Sequence, residues 1–262
     1  MIPQAAITGW REHAPWGLDA QVEQDLVISR ALVELFSDDL ISSRVAFRGG
    51  TALHKLFLLQ ERYSEDIDLV LCSPGAFGEI MGRIRAKLTP WLGKPQYKQT
   101  EDRVTFYFKY ISELPPVIPM KLKVEINMRE YFSVFDYEMK QFGIDSIWFS
   151  GQASVKTFSL EELLATKLRA LYQRKKGRDL FDQWTAHSKM AVDCQKVIEA
   201  FKTYMEKMGL LVSRAQFERN LALKLKDPMF SRDIQPLIIQ PDLYDAEIAA
   251  ELVNERLLSL LS

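Results

Sequence analysis

The spacing of apolar residues changes along the chain, and the change divides it in two. Over residues 20–37, apolar positions including Val22, Leu26, Val33 and Phe36 predict a helix, which Ser42-Ser43 interrupts. A short strand, 44–48, runs into Gly49-Gly50. A second helix is predicted over 51–60, with Leu53, Leu56 and Phe57 facing inward. Residues 66–71 alternate strictly, placing Asp66, Asp68 and Val70 on one face and Ile67, Leu69 and Leu71 on the other. Beyond the Ser73-Pro74-Gly75 turn, 76–89 reads as a helix. Strands follow at 95–100 and 103–110, the second with Val104, Phe106, Phe108 and Tyr110 on one face. Leu114-Pro115-Pro116 marks a loop, 120–130 is another alternating strand, and 144–149 and 153–158 pair around Gly151. From Ser159 onward the period is helical, at 159–173, 179–188, 193–208, 213–226 and 244–261.

This order predicts an α+β part over residues 1–158 and an all-α part over 159–262. No low-complexity linker separates them, so close packing around a shared cleft is expected. No internal repeat is present.

Composition narrows the partners. A chain of 262 residues, 47% of them hydrophobic, can build one large core or two modest ones. Charged residues make up 26%, yet the net charge is -1, so any nucleic-acid contact must come from a local patch. Cys72 and Cys194 lie in unrelated contexts and form neither a disulfide framework nor a metal-ligand cluster. Residues 1–17 lack the apolar core of a signal peptide, and no apolar run is long enough to span a bilayer. The expectation is a soluble, cytoplasmic protein with no membrane contact.

The candidate chemistry begins at Phe47-Arg48-Gly49-Gly50-Thr51. Glycines between a strand and a helix let a ligand approach the backbone, where unpaired N–H groups and the helix dipole favour phosphate. Thr51 adds a hydroxyl. Asp66 and Asp68 project side by side from one strand face, and oxygen ligands at that spacing suit Mg²⁺ or Mn²⁺. In Leu122-Lys-Val-Glu-Ile-Asn-Met128 the apolar residues take one face and Lys123, Glu125 and Asn127 the other. Glu125 is the candidate third acid, although an exposed sheet face with a charged pair fits the same pattern.

Further on, Ser159-Leu-Glu-Glu162 has the form of a capping box. The helix it opens carries Lys167 within the stripe Leu160, Leu163, Leu164, Leu168 and Leu171, where the lysine either snorkels or meets negative charge. Arg169, Arg174, Lys175, Lys176 and Arg178 form the one concentrated basic cluster. They suit either a solvated turn stopped by Gly177 or contact with phosphates of a nucleotide or nucleic acid. Asp179 and Asp182 follow on one helix face.

Together, Gly-Gly-Thr, Tyr63-Ser-Glu-Asp-Ile-Asp-Leu69, the distal Lys-Leu-Arg-Ala-Leu and Lys-Gly-Arg-Asp-Leu-Phe-Asp182 resemble the AbiEii/AbiGii nucleotidyltransferases. These are toxins of type IV toxin–antitoxin and abortive-infection systems, within the DNA polymerase beta superfamily. The resemblance covers residues 47 to 182. It implies a polymerase beta-like mixed-sheet core, a nucleoside triphosphate (NTP) co-substrate with Mg²⁺, an acceptor that is often tRNA in relatives, and a cognate antitoxin. It assigns Gly49, Gly50 and Thr51 to the triphosphate, Asp66, Asp68 and Glu125 to the metal, Lys167 to the nucleotide and Asp179 to catalysis, and Arg48 beside the glycines is a further nucleotide-binding candidate. Arg174, Lys175, Lys176 and Arg178 become candidate nucleic-acid contacts. Two features depart from the superfamily pattern: the long separation of Gly50 from Asp66, and Gly50 where serine is common.

The expected reaction transfers a nucleoside monophosphate (NMP) to an acceptor and releases pyrophosphate. A small-molecule acceptor is the competing enzyme reading. A non-catalytic nucleotide-binding regulator is the competing non-enzyme reading, which the intact acid triad argues against.

Overall fold

The computed structural model describes residues 2–75 and 77–261. Its contacts form two compact units, one ending at Phe158 and the other starting at Ser159.

The first unit begins with helices α1 (Gln4–Trp10), α2 (Asp19–Phe36) and α3 (Asp39–Arg44). Strand β1 (Val45–Arg48) leads into α4 (Gly49–Leu56), followed by β2 (Asp66–Leu71) and α5 (Gly78–Leu92). Five strands complete it: β3 (Gln96–Gln99), β4 (Arg103–Ile111), β5 (Pro119–Asn127), β6 (Glu138–Asp145) and β7 (Ser150–Thr157). They form one mixed sheet in the order β3-β4-β5-β2-β1-β7-β6. The β2–β5 and β1–β7 pairs are parallel, and the remaining pairs antiparallel.

Register explains the alternation seen in the sequence. Phe106, Val124, Ile67 and the neighbouring Leu69 and Phe47 lie on one face, all buried. Helix α2 covers this face, its Phe36 ring 6.5 Å from that of Phe47. Burying each such side chain stabilises the fold by about 1.5–3 kcal/mol. The opposite face carries Asp66, Asp68, Lys123 and Glu125, so the pleat alone sorts core from chemistry.

One polar contact inside this layer fixes the helix after β1. Lys55 Nζ lies 2.8 Å from Asp25 Oδ2 and 3.0 Å from Ser29 Oγ, tying α4 to α2. Asp25 also accepts from Trp10 Nε1 at 2.9 Å, so the buried carboxylate is well satisfied.

The structure corrects several sequence expectations. Gly49 and Gly50 are the first residues of α4 rather than a turn before it, and that helix ends at Leu56. The expected helix start at Ala76 lies outside the described residues. The hairpin expected around Gly151 instead turns at residues 146–149, and Gly151 sits inside β7 opposite Ile144. The first strand was misplaced because β6 alternates weakly, whereas the apolar Ile147-Trp148-Phe149 run occupies the turn. There Arg30 packs over the Trp148 and Phe149 rings, which holds two of the three without a strand.

The second unit is helical: α6 (Leu160–Gln173), α7 (Gly177–Lys189), α8 (Cys194–Glu206), α9 (Arg214–Leu225), α10 (Pro228–Arg232) and α11 (Ala246–Arg256), with short 3-10 turns. Ser159 caps α6 by accepting from Glu162 N, while the buried Glu162 carboxylate accepts from Tyr204 Oη at 2.8 Å. Gly177 opens α7 and does not stop α6. A Cβ there would lie 2.1 Å from the Phe230 carbonyl oxygen, so glycine is required by the close approach of α10. At the other end of α6, Lys224 Nζ donates to the Leu171 and Tyr172 carbonyls, which the last helical turn leaves without internal donors. Among the described residues, no helix is long and apolar enough to cross a membrane.

Candidate active site

Three neighbouring strands bring the expected acids together. Arg48 of β1 stands opposite Asp68 of β2, and Asp68 opposite Glu125 of β5; one step along, Asp66 stands opposite Lys123. Strand neighbours lie about 4.8 Å apart, so Arg48, Asp68 and Glu125 form one row of like-facing side chains.

Charge in the row is balanced from the sheet itself. Lys123 Nζ sits 3.2 Å from Asp66 Oδ2 and 3.3 Å from Glu125 Oε2, between the two carboxylates. Glu125 also accepts from Thr105 Oγ1 at 3.4 Å and has Arg103 Nη1 at 3.6 Å. Arg48 is ion-paired to Glu130 at 2.9 Å. Burial pushes the Asp68 carboxyl above its ordinary value, as do Asp66 and, more weakly, Glu125; Lys123 and Arg48 oppose them. Burial alone would lower Lys123, but the three carboxylates outweigh it and hold its ammonium above the usual value.

The glycine pair is explained by what it touches. Gly49 has φ +85, and a Cβ there would stand 2.4 Å from Asp68 Oδ2. Gly49 therefore lets the start of α4 meet the Asp68 carboxylate directly. A Gly50 Cβ would meet the buried Arg62 guanidinium at 2.5 Å. Thr51 is also buried, and its hydroxyl bonds the Asp66 carbonyl oxygen at 2.5 Å and Ser64 Oγ at 2.8 Å. Its hydroxyl thus holds β2 against α4. No side chain of Arg48 caps α4, and the first N–H groups of that helix are the donors suited to an anion.

Gly49→Ala is expected to reduce any activity at this site by at least tenfold, with a stability loss of about 1–2 kcal/mol from the left-handed backbone. Activity assays and urea unfolding on the same preparation check this. A fully active variant would show that Asp68 tolerates displacement.

The donor set is oxygen-only, as Mg²⁺ or Mn²⁺ prefers. Among the described residues, no group of three His, Cys, Asp or Glu is already gathered for a metal ion. The Lys123 ammonium lies where a cation would be attracted by the same carboxylates. The oxygen-only chemistry of Asp66, Asp68 and Glu125 therefore suits a divalent ion.

The remaining sequence candidates lie in the helical unit. Lys167 Nζ contacts Asp182 Oδ2 at 2.8 Å and Asp179 Oδ1 at 3.4 Å, with both aspartates fully buried. Arg174 grips Asp179 through two bonds of 2.6 and 2.8 Å. Lys175 pairs with Asp227 at 2.8 Å, Lys176 with Asp233 at 3.1 Å, and Arg178 reaches Asp233 at 3.7 Å. Arg174, Lys175, Lys176 and Arg178 thus each meet an acid of their own unit.

Lys123 and Arg62 were not selected from the sequence. Lys123 was visible as the face-mate of Glu125, but only the register with β2 places it against Asp66. Arg62 gave no signal, since a buried arginine in a loop has no periodic mark.

Comparison with known proteins gives the fold and the family. No curated protein matches the chain. MenT4, a nucleotidyltransferase toxin from Mycobacterium tuberculosis, superposes with a TM-score of 0.65 at 15% identity, covering 98% of this chain and 90% of that one. A candidate nucleotidyltransferase from H. pylori superposes with a TM-score of 0.55 at 17% identity, covering 94% and 99% respectively. At these identities the likeness establishes the nucleotidyltransferase fold. The sequence model described as "Nucleotidyl transferase AbiEii toxin, Type IV TA system" matches residues 30–251. The chain therefore belongs to the AbiEii nucleotidyl transferase toxin family.

Proposed function

We propose that this protein transfers NMP from an NTP to the hydroxyl of an acceptor, tRNA in the favoured reading, and releases pyrophosphate. The observation that carries this is the row of Arg48, Asp68 and Glu125, with Asp66 beside it, at the N-terminus of α4. An acid cluster beside free helical N–H groups suits a substrate that is both polyphosphate and cation-bound.

Asp66, Asp68 and Glu125 would hold Mg²⁺ or Mn²⁺, which supplies Lewis-acid activation of the acceptor hydroxyl and neutralises the triphosphate. The chain's own groups do the positioning. Backbone N–H groups of Gly49, Gly50 and Thr51 bind phosphate oxygens. Thr51 and Ser64 fix the start of β2, so that Asp66 keeps its aim. Lys123 balances the acids before substrate arrives. The acceptor oxygen attacks the α-phosphorus, the bond to the pyrophosphate oxygen breaks, and the acceptor proton passes to water. Alignment and charge neutralisation account for most of the rate in such reactions.

Family resemblance extends this reading to Lys167 and Asp179 on the nucleotide side. The local positive charge of Arg174, Lys175, Lys176 and Arg178 makes them candidate nucleic-acid contacts. Each is paired within the helical unit, so such a role requires exchange of those partners. Membership of a type IV toxin family supports a cognate antitoxin as partner and a cytoplasmic site of action.

The test uses the full chain with each of four α-labelled NTPs, total RNA and Mg²⁺. Label is expected in a tRNA-sized band, and to disappear with chelator. Transfer to a small molecule would replace the tRNA reading, and no transfer to any acceptor would reject the enzyme reading.

A further inference from the structure

The same sheet face continues past the acids, and there its charge changes sign. Lys98 of β3 lies opposite Thr105, which lies opposite Glu125, so Lys98 extends the row Arg48–Asp68–Glu125 outward. In the adjacent row, Gln96 and Tyr107 extend Asp66–Lys123. One further step along β4 and β5 places Lys109 opposite Lys121. Lys98, Lys109 and Lys121 are exposed and Tyr107 is half-buried. Lys121 Nζ lies 5.9 Å from the Tyr107 ring centroid.

These cations differ from the basic cluster of the helical unit. Among the described residues, Lys98, Lys109 and Lys121 make no ion pair, whereas Arg174, Lys175, Lys176 and Arg178 all do. A paired cation must give up a partner to bind phosphate; an unpaired one releases only loosely held counterions. An open sheet face carrying lysines around an aromatic ring also suits a single strand, whose phosphates and bases can be held together. Strand spacing puts Lys98 about 10 Å from Glu125 and Lys121 about 7 Å from Lys123. Both distances are within reach of a strand whose end enters the acid row.

We propose that the outer face of β3, β4 and β5, carrying Lys98, Tyr107, Lys109 and Lys121, binds the single-stranded end of an acceptor RNA and leads it to the acids. This rests on the nucleotidyltransferase reading for its direction, although the binding itself does not require turnover.

The experiment measures binding of a fluorescein-labelled single-stranded RNA 20-mer by anisotropy from 50 to 200 mM salt. The Lys98→Glu/Lys109→Glu/Lys121→Glu variant is compared with the corresponding triple Gln variant, whose milder change guards against misfolding. Equilibrium dialysis against labelled NTPs runs in parallel. Both variants are expected to bind RNA at least tenfold more weakly. Their plots of log affinity against log salt should be shallower by about 2, three phosphate contacts being lost. NTP binding should stay unchanged in both variants. Gln-variant affinity within twofold of the native chain overturns the proposal, as does label transferred only to protein or small molecules. Failure of the native chain to bind NTP would instead count against the function proposed above and leave the RNA result to stand by itself.

Discussion

Asp68→Asn is expected to abolish nucleotidyl transfer while making the protein more stable. Asp68 is the central acid of its row, and its carboxyl is held above the ordinary value first by burial and then by Asp66. A group whose folded-state value is raised contributes stability that is fully present below its unfolded value. That contribution is lost as pH rises through the folded value, where ionisation of the carboxyl becomes a burden on the fold. Asparagine keeps the shape and removes the charge. Active-site replacements of this kind commonly stabilise by about 0.5–2 kcal/mol, or roughly 2–4 °C per kcal/mol in a chain of this size. Activity should fall by roughly 10³-fold or more, because cation-mediated charge stabilisation amounts to several kcal/mol and each 1.36 kcal/mol is a factor of ten. Urea midpoints measured upward from about pH 4 should decline with pH more steeply in the native chain than in the variant. Parallel profiles would mean that burial of Asp68 has no energetic consequence, and retained transfer would remove it from the site.

This opposition of stability and function also explains what the sequence could reveal. Alternation marked Asp66, Asp68 and Glu125 as the polar face of otherwise apolar strands, because a sheet buried on one side must sort its residues by parity. The pairing of those strands was not legible. Nothing local states that β2 runs parallel to β5 and antiparallel to β1, and that register is what puts Lys123 beside Asp66. The glycine pair was visible as a motif, but its reason lay in side chains distant in sequence: the Asp68 carboxylate for Gly49 and the Arg62 guanidinium for Gly50. For the same reason Gly177 read as a helix stop. Only the packed Phe230 carbonyl reveals it as a helix start. The weakly alternating β6 escaped detection because an edge strand buries little and is under slight hydrophobic constraint.

Lys167→Ala is expected to destabilise the helical unit by about 3–5 kcal/mol, as removal of one member of a buried ion pair usually does. The lysine side chain is 9% exposed, and it faces Asp179 and Asp182, each 0% exposed. Two buried carboxylates three residues apart on α7 repel each other, so the ammonium between them does more than complete a pair. Arg174 holds Asp179 through both its oxygens, and Lys167 lies nearer to Asp182, at 2.8 Å, than to Asp179, at 3.4 Å. Asp182→Asn should therefore cost less in the Lys167→Ala background than in the native chain, with a coupling of about 1–3 kcal/mol in a double-mutant cycle. Thermal unfolding of the four proteins measures this. The same set decides between two roles for the lysine, since transfer can be assayed at a temperature where each variant is folded. Unchanged stability with lost transfer would show that Lys167 acts on nucleotide and not on the aspartates. Lost stability, with transfer retained in the folded fraction, would make it a structural cation of α6 and remove it from the chemistry.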